Sequence, residues 1–171
     1  FFYTGASHEV LLTRQKDLFD DATPSGNGMA ATALLRLAVL TGREDFGRIG
    51  REAVEAAATV LESAPAAGGQ TLMALDFLLV PTRELAVVAG DSRSDFDAAL
   101  DAAYARFQPQ AVVAPAMPED REVLARLVPL LQDRPPIGDR VTLYDCRNHA
   151  CLAPVAGVAE VVATLAGPNP G

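Results

Sequence analysis

Tryptophan is absent from this chain of 171 residues, cysteine and histidine occur twice each, and aromatic residues make up 6%. Two cysteines are too few for a small secreted scaffold built on several disulfides. Two histidines leave little material for a histidine-rich metal cage or a histidine acid–base pair. Basic residues are also scarce: 14 Lys and Arg stand against 22 Asp and Glu, giving a net charge of −8 at pH 7. Nucleic acids and anionic membranes need a positive surface, and no basic cluster offsets the imbalance, so neither is expected as a partner. No uncharged apolar run approaches the roughly 20 residues of a membrane-spanning helix. The first residues lack a basic segment followed by an apolar core, which points to a cytoplasmic protein. The chain opens on Phe1 instead of methionine, and is therefore expected to be a piece of a longer gene product.

Hydrophobic residues fill half of the sequence, ample for a core. Over residues 29–40 only Thr32 and Arg36 interrupt the apolar residues, so a helix there is expected to be covered on nearly every side. Residues 44–63 place Phe46, Ile49, Ala53, Ala56, Ala57 and Val60 at three- and four-residue steps opposite Arg48, Arg51, Glu52 and Glu55, the pattern of a surface helix. Residues 70–79 are again nearly all apolar, with Asp76 as their one charge. The order inner, outer, inner fits helical hairpins arranged as part of an α/α toroid or layered bundle. Three helices cannot close such a ring, so residues 1–82 read as an incomplete toroid segment.

From Glu84 the period changes. The apolar runs "ELAVVAG", "AVVAPA" and "RVTLYDC" alternate with helical stretches over 95–107, 119–131 and 155–165. Strands joined by helix-length crossovers predict three parallel strands over 84–89, 111–114 and 141–144 in a small α/β unit spanning residues 83–171. The fold class expected is thus mixed: a partial α/α toroid followed by a three-stranded parallel α/β unit.

Five stretches in order, "FFYTG" with "RQKD", "FDDATPSGN", "LLRLAVLTG", "ELAVVAG" and "CRNHACLAP", make the chain resemble the C-terminal part of the spermatogenesis-associated thioredoxin-like (YyaL-type) protein family. Gln15 and Gly28 depart from that pattern, which has proline and a serine-like residue there. The resemblance implies an N-terminal thioredoxin-like domain and a six-hairpin toroid related to N-acylglucosamine 2-epimerases, both of them mostly outside this chain. It therefore implies the remainder of the same gene product as a partner, and a sugar-like small molecule as a ligand. No cofactor is implied.

The loop before the first helix carries Arg14, Lys16, Asp17, Asp20, Asp21, Ser25 and Asn27, a polar cluster suited to sugar hydroxyls. The same residue types also start helices: Thr23 with Pro24 behind it, or Ser25 or Asn27 instead, would satisfy the free N–H groups of the first turn. Asp76 joins the ligand candidates because a carboxylate in an apolar helix needs a partner or a cavity. His8, near the start of the chain, reads as a surface residue. The loop "AGDSRSD" admits an anion at the next helix, or a plain turn capped by Asp91 or Ser94.

Cys146 and Cys151 flank "RNHA" where the third strand ends. Three readings stand: a metal site with His149, which has only three ligands in one loop; a disulfide or exchangeable thiol pair; or two reduced structural cysteines. A turn through Asn148 brings the two close enough to bridge, at the carboxyl edge of the predicted sheet. Two functions follow. The chain is one wall of a toroid pocket, carbohydrate-modifying in the whole protein and inactive alone, or it is a non-catalytic docking or thiol-exchange module working with a thioredoxin-like domain. A metal is not expected in either.

Overall fold

In the computed structural model, residues 1–5, 7, 12–147 and 150–167 are described; His8, Asn148 and His149 lie outside them. The chain divides into a helical unit, residues 1–39 and 43–80, and an α/β unit, residues 40–42 and 81–171. No described helix is long and apolar enough to cross a membrane.

The helical unit contains α1 (Gly26–Thr41), α2 (Glu44–Glu55), α3 (Ala58–Ser63), a single 3-10 turn (Pro65–Gly68) and α4 (Gly69–Leu79). The single surface helix expected over 44–63 is two helices, because Ala57 leaves helical geometry at φ −98° and ψ 5°. A run of alanines carries no side-chain signal of such a break. The two polar residues of 29–40 both turn towards α4. Thr32 Oγ1 accepts from Gln70 Nε2 at 2.9 Å, and the Arg36 guanidinium lies 5.0 Å from the Phe77 ring centre.

That orientation overturns the expected burial. With the polar pair of α1 facing α4, the flanks left outside are apolar: Met29, Leu37, Leu72, Met73 and Leu79 are all exposed, Leu79 at 74%. In 29–40 only Ala31 and Leu35 are buried, whereas 45–61 bury Gly50, Ala53, Val54, Ala57 and Val60. Neither apolar helix is covered on nearly every side by the described residues.

The α/β unit runs β1 (Arg83–Val88), α5 (Arg93–Tyr104), β2 (Ala111–Ala116), α6 (Arg121–Leu127), a 3-10 turn (Pro129–Leu131), β3 (Thr142–Arg147), β4 (Ala150–Cys151), β5 (Val155–Ala156) and α7 (Val158–Ala166). Every residue of β1 is buried, as its continuous apolar run demands of a central strand. Leu85 and Val87 share one face with Phe96 and Ala99 of α5 and Val161 and Leu165 of α7. Ala86 and Val88 share the other with Leu130, Leu131 and Cys146.

The sheet order is β2-β1-β3-β4, with β5 also on β3. β1 and β2 are parallel as expected, but β3 is antiparallel to β1, so the all-parallel expectation is wrong. The α6 helix has only seven residues, and the chain then crosses back in the proline-bearing stretch 132–141. About ten residues at ~3.3 Å each reach well past the length of a six-residue strand. Tyr144 donates its hydroxyl to Pro135 O at 2.7 Å and Ile137 N donates to Thr142 Oγ1 at 2.9 Å, which fixes this stretch beside β3. Its far end meets the carboxyl end of β1, where Asp91 N donates to Asp139 O at 3.1 Å. A Cβ on Gly90 would fall 2.4 Å from Asp139 O, so glycine is required at that crossing. The last helix is also shorter than expected, since Val155 and Ala156 pair with Leu143 and Thr142 as β5.

A buried ion pair joins β1 to β3. Arg83 Nη2 lies 2.6 Å from Asp145 Oδ2, Nε donates to both carboxylate oxygens at 3.1 Å, and Nη1 donates to Gln108 Oε1 at 2.6 Å. Both side chains are only 6% exposed. Removing one partner strands the other charge. Asp145→Ala is expected to cost roughly 3–5 kcal/mol in denaturant unfolding, and the double variant Arg83→Met/Asp145→Leu to recover most of it. Equal losses in the single and double variants would show that the pair is not coupled.

Candidate functional site

Two groups of sequence-predicted residues meet in the structure, and they do different things. In the helical unit, Asp20 accepts from Ser25 N at 2.8 Å and from Gln70 N at 2.7 Å, tying the starts of α1 and α4 together. Asp17 accepts from Gly26 N at 3.1 Å, and Ser25 Oγ accepts from Gly28 N at 3.0 Å. Asn27 Nδ2 donates to Asp17 O at 2.8 Å and to Phe1 O at 3.0 Å. Four of the polar candidates are therefore engaged in ordering a helix start, with Ser25 as the cap in place of Thr23. Asp17 also bonds the Tyr3 hydroxyl, which raises that phenol above its ordinary pKa.

Gly28, a departure from the family pattern, has a local reason. A Cβ there would meet Ser25 Oγ at 2.8 Å and Gln70 Cγ and Thr71 Oγ1 at 3.0 Å. Arg14 donates to Thr4 O at 2.6 Å and stacks at 4.2 Å over Phe2, which Lys16 approaches at 5.0 Å. Asp21 and Asp76 are exposed. Asp76 is thus not a buried carboxylate, since α4 presents that side of itself to the surface. In the α/β unit the "AGDSRSD" loop is a capped turn: Ser92, not Asp91 or Ser94, accepts from Asp95 N at 3.3 Å, and Gly90 approaches the chain's own backbone.

The second group is the hairpin of β3 and β4. Cys146 and Cys151 are directly opposite in antiparallel register and are joined by a disulfide, with a Cα separation of 3.9 Å. Proximity was expected, and the antiparallel pairing of β3 with β4 supplies it; the expected turn through Asn148 lies outside the described residues. The place differs from the expectation: because β3 is reversed, Cys146 stands opposite Glu84, at the amino end of β1. The bridge also displaces the other two readings of the pair, since neither sulfur is a free thiol or a metal-ligating thiolate.

The two sulfurs are unequal. Cys146 is 1% exposed and packs with Ala86, Leu130 and Leu131, whereas Cys151 is exposed at the surface. Arg134 spans them. Its Nη2 donates to Cys151 Sγ at 2.9 Å and reaches Cys146 Sγ at 3.5 Å. Nη1 donates to Leu130 O, and the guanidinium carbon lies 5.7 Å from the Tyr144 ring centre. The half-buried arginine is thus held from its other side. Sequence reading passed over Arg134 because "DRPP" reads as a connector with no fixed spacing to either cysteine. It also passed over Arg83, which an acid inside the apolar run "RVTLYDC" would have called for as a partner.

The hydrogen bonds of Asp20 carry the first testable consequence of the helix-start assignment. Asp20→Ala leaves two backbone N–H groups without their acceptor and is expected to cost about 2–3 kcal/mol in thermal or denaturant unfolding. Asp21→Ala, at an exposed neighbour, is expected to stay within about 0.5 kcal/mol of the parent. Equal effects would contradict the assignment.

Spermatogenesis-associated protein 20 of Rattus norvegicus is 28% identical to this chain over 148 residues, and that of Homo sapiens is 26% identical over the same length. The alignment covers 86% of this chain and 19% of each relative, so the chain spans about a fifth of their length. No protein-family model and no solved structure matches it. The chain is similar to one stretch of spermatogenesis-associated protein 20.

Proposed function

We propose that the chain is a non-catalytic module of a longer protein and that its α/β unit carries an exchangeable disulfide, Cys146–Cys151, which takes and returns electrons from a dithiol of the thioredoxin-like type. The observation that carries this reading is the disulfide's position: one sulfur is at the surface of a hairpin and a guanidinium sits 2.9 Å from it. Cationic neighbours and exposure are what make cysteines reactive. As a structural staple the bridge sits at the low end of what disulfides contribute. The ring closed by the bridge spans only six residues, already opposed in a hairpin, and the loop-entropy relation gives it about 2 kcal/mol. The thioredoxin-like domain that the family resemblance implies would be the natural donor.

A second reading rests on a separate observation. The exposed Met29, Leu37, Leu72, Met73 and Leu79 suit a helical unit that further hairpins of the same longer protein cover, as in a six-hairpin toroid forming one wall of a sugar-like pocket. The engagement of Asp17, Asp20, Ser25 and Asn27 in the helix start gives the carbohydrate part of that reading little support.

The redox reading is tested by counting thiols in the native chain across a series of dithiol–disulfide buffers. Two thiols are expected to appear with the fold intact, at a midpoint above roughly −270 mV, whereas structural disulfides lie below about −300 mV. A bridge that persists in buffers poised near −300 mV, or that opens only on unfolding, would refute it.

A further inference from the structure

We infer that Arg134 is the positioning residue of this exchange site: it directs attack to Cys151 and holds the negative charge that the sulfurs carry as the bridge opens. The inference rests on the thiol-exchange reading above and adds a direction and a charge partner to it.

Access comes first. A thiolate approaching in line with the S–S bond can reach the exposed Cys151 sulfur, while Cys146 is 1% exposed beneath Leu130 and Leu131. The dithiol's first thiolate therefore forms a new S–S bond to Cys151 Sγ, the Cys151–Cys146 bond breaks, and Cys146 departs with the electron pair. Its sulfur lies 3.5 Å from Arg134 Nη2 in the bridged state, close enough for the guanidinium to stabilise the leaving thiolate. The second thiol of the dithiol, as its thiolate, then attacks its own sulfur in the mixed disulfide and releases Cys151 as thiolate, 2.9 Å from the same Nη2. Two electrons pass from the dithiol to the bridge. The two protons of the dithiol go to solvent or to the sulfurs as pH dictates. Run backwards, the reaction makes the Cys151 thiolate the attacking group on an oxidised partner.

Other charged groups stand near the pair. Glu84 is buried on β1 directly opposite Cys146. Arg147 ends β3 one residue beyond Cys146, Asp133 precedes Arg134 at the surface, and Tyr144 presents its ring to the guanidinium and its hydroxyl to Pro135 O. Of the two sulfurs, Cys151 is the one that both solvent and the nearer Arg134 Nη2 can reach, and its thiolate is the one they stabilise in the reduced chain. Arg134 is suited to the role because it is fixed independently of the sulfurs, by Leu130 O and the Tyr144 ring. A lone flexible cation would lose that advantage to its own entropy.

The test uses the whole 171-residue chain with dithiothreitol as the reductant and oxidised glutathione as the trap, and compares Arg134→Gln with Arg134→Lys. Glutamine keeps a donor without charge, and lysine restores charge without the fork. Arg134→Gln is expected to slow reduction on the order of tenfold and to move the pH at which the Cys151 thiolate forms, followed by ultraviolet thiolate absorbance in Cys146→Ser, to higher values. Arg134→Lys is expected to recover most of both. In separate single-cysteine variants, glutathione is expected to trap Cys151 in the native state and Cys146 only after denaturation. Unfolding midpoints of each variant identify any that fail to fold, and for those the thiolate titration is repeated with Arg134→Met. If the parent chain exchanges at its normal rate and Arg134→Gln matches it, or if Cys146 is trapped first, the role given to Arg134 is overturned while the exchange site stands. If the parent chain itself resists the reductant, the underlying reading fails, and this inference with it.

Discussion

The Arg83–Asp145 pair is the interaction on which the α/β unit is organised. A strand buried on both faces admits charge only where the charge is answered, and here a bidentate contact answers it across two antiparallel strands. The pair sets the amino end of β1 against the carboxyl end of β3. The residue after Asp145 is Cys146, and Leu152 N donates to Asp145 O at 2.9 Å, so the same anchor determines where the hairpin disulfide sits. Its energetic worth against an apolar core of the same shape is small by general experience. Within the antiparallel arrangement that the 132–141 return path allows, it holds the two buried charges where β1 and β3 meet.

Carboxylates in the helical unit do a comparable task by other means. Asp20 and Asp17 accept backbone N–H groups from three residues at the starts of α1 and α4, satisfying donors that a helix start cannot satisfy within itself. That use is favoured at a helix N-terminus, where the dipole attracts negative charge. It explains why a loop rich in aspartate, serine and asparagine resembles a ligand site in sequence and yet is occupied by its own backbone.

Much of this was legible in the sequence, and what was not has identifiable causes. Runs of apolar residues located β1, β2 and β3 to within a few residues, because burial of a strand writes itself into consecutive side chains. Those runs say nothing of direction. The reversal of β3 depends on how far 132–141 carries the chain, which its prolines and glycine leave open. Side-chain period also cannot tell an apolar helix covered on all sides from one that leaves an apolar flank exposed, hence the error over residues 29–40. Thr32 and Arg36 carried the missing clue, as two polar residues four apart mark the flank that faces a neighbour with polar atoms of its own. The proximity of Cys146 and Cys151 was readable from spacing alone. Arg134 was not, because the contact arises from the chain's return path.

The edges of the sheet have a consequence for how copies of this protein meet. β2 is one edge, and Pro115 within it has no N–H to offer to an added strand. On the other side the long strand β3 is covered by two strands of two residues each, β4 near its end and β5 near its start. An uninterrupted edge of six residues invites a foreign strand to continue the ladder. Here one side lacks a donor and the other is shielded in segments, one of them tied down through Cys151. Were that tie absent, β4 would be held over the end of β3 by its strand pairing alone, and that end of the sheet would be easier to extend from outside.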